Sequence, residues 1–132
     1  MPAKRELIPW PVRAAEVAAH ARPGVSNPVR GGDFLFISGL TALDPGSGEP
    51  MRDTTATETR EILIELAALL EAAGSSLEKV VKVNVLLASM LEAPNMNEVY
   101  AAFFSDPPPA RTVCGARLPD GVKVMMEFTA LA

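Results

Sequence analysis

The run DPPPARTV sets one arginine, Arg111, behind Pro107, Pro108 and Pro109. A guanidinium is a rigid fork of N–H donors that matches the edge of a planar anion such as a carboxylate. Prolines just before it restrict the backbone, so less entropy is lost in holding the fork in place. The chemistry this allows is capture of a small acid. Turning capture into catalysis needs a group nearby that can move protons. In the closing run VKVMMEFTALA that group can only be Glu127, its single carboxylate.

Other chemistries find little support. One cysteine, Cys114, cannot close an intramolecular disulfide, and one histidine, His20, cannot join it in a zinc site of ordinary ligand count. A net charge of −4 without a Lys/Arg run gives no general attraction to phosphate backbones, so nucleic acid is not an expected partner. The first residues carry charges and prolines but no apolar signal core, and no segment approaches the ~18 consecutive apolar residues of a membrane span. The expected setting is soluble, reducing and cytoplasmic.

At 132 residues, 48% of them hydrophobic, the chain can bury one core. Residues 1–24 read as an N-terminal segment, with ELI as a short edge strand and AAEVAAHA as a helical turn; residues 25–132 read as the domain. NPVRGGDFLFISG predicts two strands joined at Gly31, Gly32 and Asp33. A helix is expected over about Thr57 to Ala73. Its apolar stripe is Ile62, Leu66, Leu69 and Ala73, widened by Leu63 and Leu70, with Glu58, Glu61 and Glu65 on the other side and Gly74 as the stop. VVKVNVLLAS reads as a strand burying Val81, Val83, Val85 and Leu87. A second helix, about Pro94 to Phe104, stops before the prolines. Strands over Arg111–Arg117 and Val122–Ala130 follow, joined by LPDG.

The order is βββ-α-β-α-ββ, an α+β mixed sheet with both helices on one face. Val122, Val124, Met126, Phe128 and Ala130 should pack on the helices. The other face would carry Met125, Leu131 and Leu86 among Glu127, Lys82 and Asn84. That mixture suits a subunit interface, so a symmetric oligomer is expected.

Several segments, in order, resemble the RidA (YjgF/YER057c/UK114) family: FLFISG, LLEAAGSSLEKVVKVNVLL, NEVYAAFF and PPARTVCGARLPDGVKV. The resemblance runs from about Val25 to Ala132. It implies a chorismate-mutase-like fold and a homotrimer with small-molecule clefts between subunits. It also implies hydrolysis of reactive enamines and imines, such as 2-aminoacrylate and 2-iminobutanoate, to 2-oxo acids and ammonia, with no metal or organic cofactor.

Carried over position by position, Arg111 matches the arginine that binds the substrate carboxylate. Asn97, Ser38 and Gly39 match residues that hold or line the cleft. Two departures stand out. The position of the hydrolytic glutamate, counted from the Leu-Pro turn, is Met125, and a thioether does no acid–base work at neutral pH. The pocket tyrosine is replaced by Val25. Glu127 lies two residues beyond Met125 on the same face, about 7 Å away by strand rise. It is the substitute catalyst, or else a hydrogen-bonded interface carboxylate. One residue fewer separates Arg111 from Leu118 than in the family pattern, which predicts a bulge or shifted register. The family cysteine position is Val113, so Cys114 should point to the opposite face as a small core residue. Tyr100 is expected to pack or cap. Two functions follow: deaminase-type hydrolysis, or non-catalytic binding of a small carboxylate-bearing metabolite in a regulatory protein.

Overall fold

In the computed structural model, residues 5–7, 28–44, 46–104 and 106–132 are described. The elements among them are β1 (Glu6–Leu7), β2 (Val29–Gly31), β3 (Phe34–Leu40), α1 (Thr55–Ala72), β4 (Val80–Leu87), α2 (Ala93–Phe103), β5 (Ala110–Gly115) and β6 (Val124–Leu131). Val25, His20 and the AAEVAAHA segment lie outside the described residues. The sheet order is β1-β2-β3-β6-β4-β5, antiparallel throughout except for the β4–β5 pair. A parallel pair needs a crossover, and α2 supplies it. The architecture is the α+β mixed sheet the sequence predicts.

Period-two alternation does the sorting in β6. Val124, Met126, Phe128 and Ala130 are buried against the helices, while Glu127 and Leu131 are exposed and Met125 and Thr129 half-buried on the other face. Leu35 and Ile37 from β3, with Val83, Val85 and Leu87 from β4, complete the sheet side of the core. Ile62, Leu63, Leu66, Leu69 and Leu70 of α1 and Met96 and Tyr100 of α2 complete the other. The β2–β3 connection is a two-residue turn with Gly32 at φ 57°, a conformation glycine adopts without strain. Helix α1 begins on Thr54, whose side chain accepts from Thr57 N–H. It ends at Gly74, φ 79°, where Arg30 Nη2 donates to the freed Ala73 carbonyl at 3.3 Å.

Four details differ from the sequence reading. Glu58 is completely buried rather than on the polar side of α1. Its carboxylate accepts from the backbone N–H of Asp53 at 3.1 Å and of Lys123 at 2.8 Å. Val81 is exposed because the β4–β6 register shifts between Val80 and Lys82, so Val80 takes its place inside. No bulge occurs in β5, which pairs with β4 in unbroken register from Ala110 to Gly115. Cys114 is exposed on the helix-free face opposite Leu86, and Val113 is the one packed against the core. Cys114 sits in the edge strand β5, and facing away from the helices leaves it exposed.

Candidate functional site

Arg111 leads with its donors. In β5 it pairs with Val83, which is wholly buried, so its side chain leaves the sheet on the helix side. There it meets α2. Nη1 donates to Asn97 Oδ1 at 2.8 Å, and the guanidinium carbon lies 4.7 Å from the centre of the Tyr100 ring. A hydrogen bond from one amino group and a ring beneath the central carbon are different constraints on one cation. No salt bridge to Arg111 occurs among the described residues. Among the described residues, the guanidinium therefore has no acid partner, and it stands at an exposed position.

The remaining predicted residues, among those described, gather on the opposite face. Between the pairs Ile37–Phe128 and Leu40–Met126, β3 has one residue more than β6, so Ser38 and Gly39 together oppose Glu127. Met125 folds over Gly39: a Cβ at that glycine would lie 2.7 Å from its Sδ. A side chain at position 39 would push the thioether aside. Glu127 does not stand free, because Asn84 Nδ2 donates to its Oε1 at 2.6 Å. Beside this pair, Lys82 Nζ donates to Thr112 Oγ1 at 2.9 Å. Phe36, Ser38, Lys82, Asn84, Glu127 and Thr129 line a shallow hollow of about 270 Å³.

Within one chain, then, the predicted site divides in two. Arg111 and Asn97 stand on the helix side, with Tyr100. Ser38, Gly39, Met125 and Glu127 stand on the helix-free side. The sheet itself lies between them. The sequence reading gave Asn97 a part in holding the cleft and Tyr100 a packing or capping part, and it paired neither with Arg111. The signal was available: Asn97 and Tyr100 are three residues apart on a helix, hence on one face. Among the described residues no three His, Cys, Asp or Glu side chains converge as a metal centre would require. No described helix is long and apolar enough to cross a membrane.

Electrostatics tie Tyr100 to Arg111. Burial pushes the Tyr100 phenol above its ordinary value of 10.0, and the Arg111 charge pulls it part of the way back. A raised folded-state value means that folding favours the neutral phenol. That contribution is complete below the unfolded value and is lost as pH rises through the folded one. Tyr100 is the only tyrosine in the chain, so phenolate absorbance reports on it alone. A spectrophotometric titration is expected to place its midpoint above 10.0, and Arg111→Ala should move that midpoint further up. A downward move on removal of Arg111 would contradict the contact.

Residues 15–132 match the protein family described as Endoribonuclease L-PSP. A RutC family protein of Pyrococcus horikoshii is 42% identical over 106 residues, covering 80% of this chain and 84% of its own. The 2-iminobutanoate/2-iminopropanoate deaminase of Mus musculus is 38% identical over 98 residues, covering 74% of this chain and 73% of its own. Among solved structures, RidA from the Antarctic bacterium Psychrobacter superposes with a TM-score of 0.79 at 33% identity, over 85% of this chain and 91% of that one.

Proposed function

The chain belongs to the RidA family, described as Endoribonuclease L-PSP, and on that premise we propose that it hydrolyses small imino or enamino acids to 2-oxo acids and ammonia. The observation that carries this reading is Arg111. It is exposed, braced by Asn97 and Tyr100, and free of any acid salt-bridged to it among the described residues. A cation held in that way is suited to the carboxylate of a small acid. Gripping the carboxylate also holds the adjacent C=N bond in place for attack by water. Water adds to the imine carbon as one of its protons passes to nitrogen; the second follows from the new hydroxyl as the C–N bond breaks, releasing ammonia and leaving the ketone.

The working unit in this proposal is a homotrimer. The helix-free sheet face leaves Phe34, Phe36 and Leu131 at 41%, 48% and 41% exposure, a large apolar surface for a single subunit to leave in water. A second subunit is also what would bring the helix-free half of the site, with Ser38, Gly39 and Met125, up to a neighbour's Arg111. Light scattering coupled to gel filtration tests this: a monomer at micromolar concentration would remove the composite site. A cytoplasmic setting belongs to the same proposal, as does a domain over 25–132 preceded by an N-terminal segment.

A second reading has its own support. Met125 stands where the resemblance calls for an acid, and Glu127 is held by Asn84. The cleft would then bind a small carboxylate without turning it over. RNA cleavage has less behind it, because the chain is acidic overall and has one histidine and 5% aromatic residues. The separating experiment follows 2-oxo acid release from freshly generated 2-aminoacrylate and 2-iminobutanoate. Hydrolysis above the protein-free rate is expected. Met125→Glu, which supplies a carboxylate beside Ser38 and Gly39, should raise that rate about 10-fold or more, since acid–base groups typically contribute ~10²–10⁴. A wild-type rate equal to the blank, with tight 2-oxo acid binding, would favour the second reading.

A further inference from the structure

Helix α2 offers Arg111 more than a place to rest. Asn97 and Tyr100 stand one turn apart and reach the same guanidinium, the first through a hydrogen bond and the second with its ring beneath the guanidinium carbon. Each contact alone leaves a rotation open; together they leave little freedom in the planar group. Tyr100 is in turn hard to move. It is 6% exposed, and its ring centre lies 4.7 Å from that of Phe104, itself buried. Its hydroxyl oxygen is buried with no hydrogen-bond partner among the described residues. A buried phenol oxygen without a partner is unfavourable, so the hydroxyl does not account for the tyrosine's place. The ring does.

We propose that Tyr100 is a positioning residue: its ring face, rather than its hydroxyl, holds the Arg111 guanidinium flat against α2 so that its outer donors are set before a carboxylate arrives. The inference rests on Arg111 being the carboxylate anchor. A long, exposed arginine otherwise samples many rotamers, and binding must then order it. Pre-setting the fork removes that cost from the binding step. The effect belongs to substrate capture, so it should appear in KM and in affinity for the product acid, with kcat little changed.

The test compares wild type with Tyr100→Phe, Tyr100→Leu and Arg111→Ala in three measurements. These are the dissociation constant for 2-oxobutanoate, KM and kcat for 2-iminobutanoate, and the NMR shift of the Arg111 Nε–H group, which a ring beneath it displaces. Tyr100→Phe should match wild type in all three. Tyr100→Leu should weaken binding and raise KM by ~3–30-fold, the range of a cation–π contact, and return the Arg111 resonance to an ordinary position. Should the leucine variant fail to fold, Tyr100→Met, which also lacks a ring, takes its place. Loss in Tyr100→Phe equal to that in Tyr100→Leu would assign the role to the hydroxyl and overturn the proposal. Wild-type affinity and KM in Tyr100→Leu would overturn it too. If Arg111→Ala binds and turns over as well as wild type, the carboxylate-anchor reading falls and takes this proposal with it. That outcome is distinguishable because Arg111→Ala itself is then silent.

Discussion

Alanine at position 111 is expected to lower kcat/KM for 2-iminobutanoate by ~10²–10³, the loss of two charge-assisted hydrogen bonds to one carboxylate. The fold should hold, because Arg111 is exposed and its contacts are one amide oxygen and one ring face. Arg111→Lys keeps the charge but not the fork, and an ammonium cannot bond Asn97, lie on Tyr100 and clasp both carboxylate oxygens at once. It should recover only part of the loss. Steady-state kinetics with both variants decide this, and the division between KM and kcat says when the contact matters. A rise in KM alone means that Arg111 holds the substrate and the transition state equally; an equal fall in kcat means that it also polarises the reacting C=N bond.

Glu58 carries the largest expected effect on stability. It is completely buried near the start of α1 and accepts N–H groups from two separate segments, Asp53 before the helix and Lys123 before β6. Lys123 Nζ also lies 3.9 Å from its Oε2. Glu58→Ala removes the acceptor from both donors and opens a cavity, so a loss of roughly 2–4 kcal/mol is expected. In a chain of this size that corresponds to a fall in Tm of about 8–15 °C. Glu58→Gln keeps one acceptor oxygen and should cost about half as much. Thermal unfolding followed by circular dichroism measures both. A change within ~0.5 kcal/mol in the alanine variant would mean that water replaces the carboxylate and that the latch is dispensable.

Much of the fold was legible because the pattern in each element was strong. The alternation in VKVMMEFTA fixed which face of β6 meets the helices, and the 3.6-residue stripe through Ile62, Leu66 and Leu69 fixed α1. Glycine turns at Gly32 and Gly74 stood where backbone freedom was needed. The misreadings share a cause. Glu58 was assigned to the polar side of its helix from its charge alone, but two backbone donors brought up by tertiary packing outweigh that preference. Val81 changed faces because of one bulge, and no local signal in VVKV announces it. Cys114 was read as core because it falls one place past the family cysteine, on the opposite face, but in the edge strand β5 that face is the helix-free one and leaves it exposed.

The site was less legible than the fold, for a geometric reason. Spacing along a strand tells which residues share a face, and it correctly grouped Met125 with Glu127. It does not tell which face of β5 carries Arg111 relative to β6, because that depends on how β4 pairs with each. The pairs Val83–Arg111 and Asn84–Glu127 put the arginine and the glutamate on opposite sides of the sheet.

The central claim is that Arg111 takes the carboxylate of a small acid in a site completed by a second subunit, and a crystal structure with 2-oxobutanoate tests it most directly. The account predicts the product carboxylate on the outer donors of Arg111, with Asn97 and Tyr100 still in contact and a neighbouring subunit's Ser38, Gly39 and Met125 facing the ketone. An acid seated instead in the hollow beside Lys82, with Arg111 bonded to Asn97 alone, would contradict it.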